Sequence, residues 1–151
     1  MGFSLRQAND VRSEWPHYTI ARKWTETEMT LTKLTVFSGE EGQAGLREDE
    51  IQFQSSDNVL GSERLKMSKI EPCKRSFYID LPAGFHTEFR FADREQTFVC
   101  LSGNYRISTE DGTFHEKGPG SVIHLLRDDV STHSFELLGG EGAQFLVVQV
   151  D

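Results

Sequence analysis

Polar side chains that could do chemistry stand at alternate positions within GFHTEFRFADREQTFVCLSG, Gly84 to Gly103. His86, Glu88 and Arg90 are two residues apart, and side chains at that spacing share one face of a β-strand. A guanidinium pairs with a carboxylate or a phosphate through two parallel hydrogen bonds. An imidazole exchanges protons near neutral pH, and a carboxylate can act as its complement. The stretch therefore indicates a site that binds a small anion and could move protons on it.

Short strands separated by turn signals must position this stretch. Alternating apolar and polar residues predict strands in RSFYIDL, FHTEFRF, QTFVCLS, NYRIST, SVIHLL, HSFELL and QFLVVQV. The connecting segments LPAG, EDGT, KGPG and GGEGA read as turns, and RDDVST reads as a loop. Strands with turn signals at intervals of about 8–12 residues predict an all-β sandwich or small barrel.

The domain organisation is one barrel with an arm. The 151-residue chain is predicted to form a barrel domain over 29–151, preceded by an N-terminal extension or arm over 1–28. The first strand of the barrel is predicted in MTLTKLTVF. The acidic segment that follows, up to residue 63, is rich in Gly, Ser and Asp, and reads as loops with one short strand in EIQFQ.

Composition excludes several classes of partner. The net charge of −8 argues against nucleic acid, which binds clustered Lys and Arg, and against an anionic membrane surface. No apolar run approaches the length of about 18 residues that a spanning helix needs, and the N-terminus lacks the layout of a signal peptide. Two cysteines do not make a disulfide framework. We expect a cytoplasmic protein with neither nucleic-acid nor membrane partners.

The spacing inside the opening stretch resembles the first motif of the cupin superfamily. That motif reads Gly, five residues, His-x-His, three or four residues, Glu, six residues, Gly. In this chain Gly84 and Gly103 keep the frame. Arg90, Ala92 and Gln96 stand where the motif has its two histidines and its glutamate. The frame is thus similar to that of a cupin, whereas the chemistry of its polar positions differs.

A second stretch, GPGSVIHLLRDDVSTHSF, resembles the second cupin motif. Gly120 would open its strand and His133 would be its histidine. The layout LSG, DG and GPG is similar to that of small bacterial cupins, and the resemblance covers about residues 30–151. It implies a double-stranded β-helix, the jelly-roll barrel of the small single-domain, sugar-epimerase-like cupins.

The resemblance also implies a metal site that this chain does not keep. Cupin metal sites typically combine three histidines with one glutamate, of which His133 alone remains. Arg90 repels a cation, and Ala92 has no donor atom. We therefore expect no metal and no cofactor. A replacement ligand set of His86, Glu88, Cys100 and His133 stays open as an alternative.

The interior of the barrel follows from the resemblance together with the alternation along each strand. The face of the strand with His86, Glu88, Arg90 and Ala92 would lie inside. The next strands would add Gln96, Phe98 and Cys100, then Tyr105 and Ile107, then His133 and Phe135. The closing strand would add either Phe145, Val147 and Gln149 or Leu146, Val148 and Val150.

Roles follow from these positions. The predicted substrate-binding residues are Arg90, Gln96, His86 and Phe98, and the predicted catalytic residues are His133 with Glu88 or Tyr105. Arg90 could instead pair with Glu88 or another acid, and His133 could be a satisfied histidine in a polar core. His124 is interpreted as a structural residue.

Three functions stay open. The first is a metal-independent acid–base enzyme, an isomerase, epimerase, dehydratase or cyclase, that acts on a small anionic metabolite. The second is a non-catalytic ligand-binding or sensing cupin, and the third is a metal-dependent oxygenase with atypical ligands. Phe85, Thr87, Phe89 and Phe91 would lie on the outer face and need cover. The covering surface could be the N-terminal arm or a partner subunit, and we expect a homodimer. The alternative is that the face assignment is inverted and these residues pack inside their own sandwich.

Overall fold

The computed structural model describes residues 30–150, and for residues 58–60, 91 and 128–131 it describes the backbone alone. All of the regular structure in this range is β-strand. The strands are β1 (Thr32–Ser38), β2 (Ala44–Glu50), β3 (Gln54–Leu60), β4 (Glu63–Met67), β5 (Arg75–Leu81), β6 (His86–Ala92), β7 (Gln96–Ser102), β8 (Asn104–Thr109), β9 (Phe114–Lys117), β10 (Val122–Leu125), β11 (Asp128–Leu138) and β12 (Ala143–Gln149).

The eight strands from β5 to β12 are distributed over two sheets that pack face to face. Within a six-stranded sheet the order is β2-β1-β10-β7-β12-β5, and the four-stranded sheet has the order β6-β11-β8-β9. From β5 to β12 the chain changes sheet at each step except between β8 and β9. This order is that of a jelly roll, an eight-stranded double sheet built from two Greek keys. The predicted jelly-roll fold is confirmed.

Two segments predicted as loops are strands. The acidic segment contains β2, which pairs along its whole length with β1, and β3, which forms a separate two-stranded sheet with β4. RDDVST belongs largely to β11, whose first residue pairs with the end of β6. Polar composition lowers strand propensity, but a partner strand in register supplies the backbone hydrogen bonds and overrides it.

The two glycines of the opening stretch have backbone reasons to be glycine. Gly84 adopts a φ of 78° in the turn before β6, and Gly103 adopts a φ of 87° between β7 and β8. Both values lie in the left-handed region that side chains rarely adopt. A Cβ on Gly103 would also lie 2.5 Å from the Cβ of Ala143. The kept spacing therefore reflects two obligatory turns.

The core lies between the sheets and is rich in aromatic rings. On β12 the inward residues are Phe145, Val147 and Gln149, which decides between the two alternatives for the closing strand. Phe145 contacts Phe135 of the opposite sheet at a ring-centroid distance of 5.9 Å. Tyr105 packs on both of these rings and is completely buried.

The predicted extension, residues 1–28, lies outside the described part of the chain. Among residues 30–150, no helix has the length and apolar character that crossing a membrane requires. Phe89 is 47% exposed, as expected of the outer face of β6. The homodimer stays a prediction, which a sizing measurement tests.

Candidate functional site

A cavity of about 180 Å³ lies between the two sheets. Thirteen of the residues whose side chains the structure describes line it; nine of them are apolar, and none of the thirteen is Asp or Glu. The polar lining residues are Thr87, Arg90, Gln96 and His133. A largely apolar wall with a few convergent polar groups is the usual anatomy of a small-molecule site.

A β-bulge in β6 determines which of its side chains reach this cavity. His133 of β11 pairs with Arg90, and Phe135 pairs with Thr87. Two steps along β11 therefore correspond to three steps along β6, so β6 contains one extra residue between Thr87 and Arg90. Such an insertion reverses the inward and outward alternation from that point on.

The bulge corrects the predicted face of β6. His86 and Glu88 are exposed and do not line the cavity, so their predicted positions inside the barrel are wrong. Phe85 and Thr87, predicted to point outward, line the cavity instead. Beyond the bulge the prediction is correct, because Arg90 lines the cavity and Ala92 is buried.

Arg90 and His133 are cross-strand neighbours in the cavity wall. Their Cα atoms are partners in the β6–β11 ladder, and both side chains line the cavity. His133 is 6% exposed, whereas Arg90 is exposed to solvent. Among the residues whose side chains the structure describes, no carboxylate forms an ion pair with Arg90. The alternative in which Glu88 neutralises Arg90 is therefore not what the structure contains.

Gln96 is oriented toward the cavity by a chain of hydrogen bonds. Arg75 donates from Nε to Oε1 of Gln149. Gln149 then donates from Nε2 to Oε1 of Gln96 at 3.0 Å. Because a guanidinium can only donate, it sets the orientation of both amides. Gln96 is 7% exposed, and no described residue accepts a hydrogen bond from its Nε2 group.

Comparisons with known proteins concern the fold. Neither the protein-family models nor the curated proteins include a match to this sequence. Among solved structures, the cupin domain of Schizosaccharomyces pombe Cnp3 is similar over 81% of this chain and 84% of its own, with 15% identity and a TM-score of 0.44. An RmlC-like cupin from Methanocaldococcus jannaschii is similar over 50% of this chain and 67% of its own, with 17% identity and a TM-score of 0.42.

A further similar structure is the polyketide cyclase RemF from Streptomyces resistomycificus, with 23% identity and a TM-score of 0.42 over 50% of this chain. The matched region spans 54% of the cyclase. The strand order of the two sheets decides the architecture. The chain has a double-stranded β-helix, or jelly-roll, fold.

Tyr105, which was also predicted to be catalytic, lies in the core between the sheets and does not line the cavity. It is 0% exposed, and its hydroxyl group shares a hydrogen bond of 2.7 Å with Ser121 Oγ. Burial raises the pKa of Tyr105 to about 12. Tyr105 is thus a neutral phenol near pH 7 that is hydrogen-bonded within the protein. It faces the interior as predicted, but it lies behind the cavity wall, out of reach of a ligand in the cavity.

The cavity residues do not fit a divalent metal. The wall offers one imidazole beside a guanidinium, and neutral imidazoles with carboxylates are the usual ligands of such ions. The alternative ligand set is not assembled, because His86 and Glu88 are exposed while Cys100 is buried. Among the described residues, no three His, Cys, Asp or Glu side chains lie together as a metal site.

Four of the seven predicted site residues line the cavity. They are Arg90, Gln96, Phe98 and His133. Sequence reasoning missed Thr87, whose Oγ1 accepts a hydrogen bond from the Phe135 backbone N–H at 3.1 Å. It also missed the orienting pair of Arg75 and Gln149. No signal in the sequence identifies Thr87, since its inward position depends on the bulge.

Proposed function

We propose that this protein binds a small organic anion with an apolar body in its cupin cavity, without a metal. The observation that supports this proposal is the donor character of the polar wall. Arg90 and the Gln96 amide nitrogen are hydrogen-bond donors without an acceptor among the described residues. A ligand that supplies carboxylate oxygens satisfies both groups at once.

The electrostatics of the cavity favour the same ligand. The chain carries a net charge of −8, yet none of the lining residues that the structure describes is an acid. Arg90 keeps its charge at every physiological pH, and its exposure leaves it partly solvated, so that it avoids the full cost of a buried charge. Charge-assisted hydrogen bonds of this kind contribute roughly 1.5–3 kcal/mol each.

Substitution of Arg90 tests the proposal. The probes are sodium butyrate, hexanoate, benzoate and phosphate, titrated by calorimetry with a chelator present. We expect saturable binding of at least one carboxylate, and Arg90→Met should weaken it by about 10- to 100-fold. Arg64→Met is the matched control, because Arg64 is an exposed arginine on β4, away from the cavity.

Two results would contradict the proposal. The first is that none of these anions binds saturably to the wild-type protein. The second is that Arg90→Met and Arg64→Met bind the carboxylates equally well.

A second candidate function adds proton transfer by His133. It is supported by the position of the imidazole, which lines the cavity beside Arg90. A base at this place could abstract a proton next to the carboxylate that Arg90 binds, the first step of an isomerisation, epimerisation, dehydration or cyclisation. Neither Glu88 nor Tyr105 lies in the cavity wall, so His133 would act without a second protein acid or base from the predicted set.

Deuterium exchange separates the enzyme from a binding or sensing protein. The α-protons of phenylacetate in D₂O are followed by NMR with wild-type protein, His133→Asn and the control His115→Asn. An enzyme should exchange these protons in the wild type and the control, and lose exchange in His133→Asn while phenylacetate affinity changes only a few-fold. Binding without exchange in the wild type would favour the non-catalytic function.

A further inference from the structure

Four phenylalanines form much of the apolar wall of the cavity. Phe98 and Phe145 come from the six-stranded sheet, and Phe85 and Phe135 come from the side of the four-stranded sheet. Adjacent rings stand edge to face. The interplanar angle is 61° for Phe85 and Phe135, 70° for Phe135 and Phe145, and 84° for Phe98 and Phe145. The wall therefore combines ring faces and ring edges in one enclosure.

The rings are held in place from behind. Tyr105 stacks on Phe135 at a centroid distance of 5.3 Å and contacts Phe145 at 5.4 Å. Because Tyr105 is fully buried and bonded to Ser121, these two rings cannot turn away without disturbing the core. A wall that is ordered before binding loses little entropy when a ligand enters.

The size of the cavity limits the apolar body of the ligand. A protein cavity of about 150 Å³ holds one benzene molecule, and this cavity has about 180 Å³. One six-membered ring with a small substituent fits within it, whereas a fused ring system, a nucleotide or a long acyl chain would extend beyond it. A sugar would bring several hydroxyl groups to a wall whose described residues include four polar ones, and burying unpaired hydroxyl groups is unfavourable.

An aromatic ring suits this wall better than a saturated ring of the same size. Edge-to-face contacts between aromatic rings add affinity beyond that from buried area, about two- to tenfold per contact. From these features, and resting on the proposed function, we infer that the ligand is a monocarboxylate of a single aromatic ring. The ring lies among the four phenylalanines, and the carboxylate accepts hydrogen bonds from Arg90 and Gln96.

Paired ligands test the inference on the full chain. Benzoate and cyclohexanecarboxylate have the same carbon skeleton, and phenylacetate and cyclohexylacetate form a second pair. In each pair the aromatic acid is expected to bind at least threefold more tightly. Phe135→Leu should lower that ratio at least about twofold, the contribution of one lost aromatic contact, while Arg90→Met should weaken both members equally. The control Phe114→Leu, at an exposed position on β9, should leave the ratio unchanged.

Each outcome is decisive. If the saturated acids bind as tightly as the aromatic acids and still depend on Arg90, the aromatic class is wrong and the proposed function stands. If no acid binds, or binding ignores Arg90, the proposed function fails and the inference fails with it. Should Phe135→Leu not fold, Phe98→Leu gives the same measurement, because Phe98 is only partly buried.

Discussion

Two histidines of this protein are equally buried and differ in what they face. His133 and His124 are each 6% exposed. His133 lines the cavity between the sheets. His124 of β10 lies between Thr97 and Glu95, with Nδ1 2.9 Å from Thr97 Oγ1 and Nε2 3.1 Å from Glu95 Oε1. A carboxylate can only accept, so Nε2 donates to Glu95 and Nδ1 accepts from Thr97.

The comparison shows that burial of a polar side chain does not by itself indicate a ligand site. His124 uses both ring nitrogens within the protein, so the structure supports its interpretation as a structural residue. His133 borders open volume next to an arginine. The cavity differs from the surroundings of His124 in two ways: it contains open volume, and its Arg90 and Gln96 donors have no acceptor among the described residues.

The largest expected effect on stability comes from replacing His124, whose two ring nitrogens both form hydrogen bonds within the protein. His124→Ala should lower the free energy of unfolding by about 1–3 kcal/mol, because it removes the hydrogen bonds of both ring nitrogens, to Thr97 and to Glu95. Carboxylate affinity should stay unchanged. Denaturant unfolding and calorimetry measure the two quantities, with Thr97→Val as a matched variant that removes one of the two hydrogen bonds. Equal stability of His124→Ala and wild type would contradict the comparison.

Tyr105 is a buried polar residue that, like His124, forms a hydrogen bond within the protein. Tyr105→Phe keeps the ring contacts and removes only the hydrogen bond to Ser121. We expect a loss of about 1 kcal/mol in unfolding free energy, with no change in carboxylate affinity or in α-proton exchange. A variant that keeps its stability but loses exchange would return Tyr105 to the catalytic machinery.

A smaller effect concerns pH. Burial lowers the pKa of His124 below its ordinary value and Lys33 acts in the same direction, while Glu95 opposes them. A histidine with a lowered pKa in the folded state stabilises the fold fully above its unfolded pKa of about 6.5, and this contribution is lost as the pH falls through the folded value. Unfolding free energies measured between pH 8 and pH 5 should therefore fall less steeply in His124→Gln than in wild type. Parallel curves would contradict this assignment.

The smallest effects are expected on the outer face of β6. Glu88→Gln and His86→Gln should each change stability by less than about 0.5 kcal/mol, as is usual for exposed positions. Neither should alter carboxylate affinity, because the bulge turns both side chains away from the cavity. Loss of binding in Glu88→Gln would show that β6 has the regular alternation predicted from the sequence.

Much of the fold was predictable because local sequence patterns specify its strands and turns. β5, β7, β8, β10, β12 and the second half of β11 follow the alternation of apolar residues. Turns follow glycines such as Gly103, whose φ of 87° a side chain rarely adopts. The polar strands β2 and β3 were not predictable in this way. Their existence depends on the pairing of β2 with β1 and of β3 with β4.

The candidate site was predictable only in part. Arg90, Gln96, Phe98 and His133 all line the cavity, as their strand positions indicated. The positions of His86 and Glu88 were wrong because the alternation on β6 is interrupted between Thr87 and Arg90. A bulge is defined by the partner strand, so β6 alone does not reveal it.

By itself, the sequence determined that the protein is all-β and that Arg90 replaces a metal-ligand position of the motif. Period-two alternation and turn glycines specify strands, and a permanently charged arginine in the frame of a metal motif favours an anion over a cation. Only the tertiary structure decided which side chains surround the cavity and how Arg75 and Gln149 orient Gln96. It also decided which of the two buried histidines, His124 or His133, lines the cavity. These features depend on register between strands distant in sequence, which no local pattern specifies.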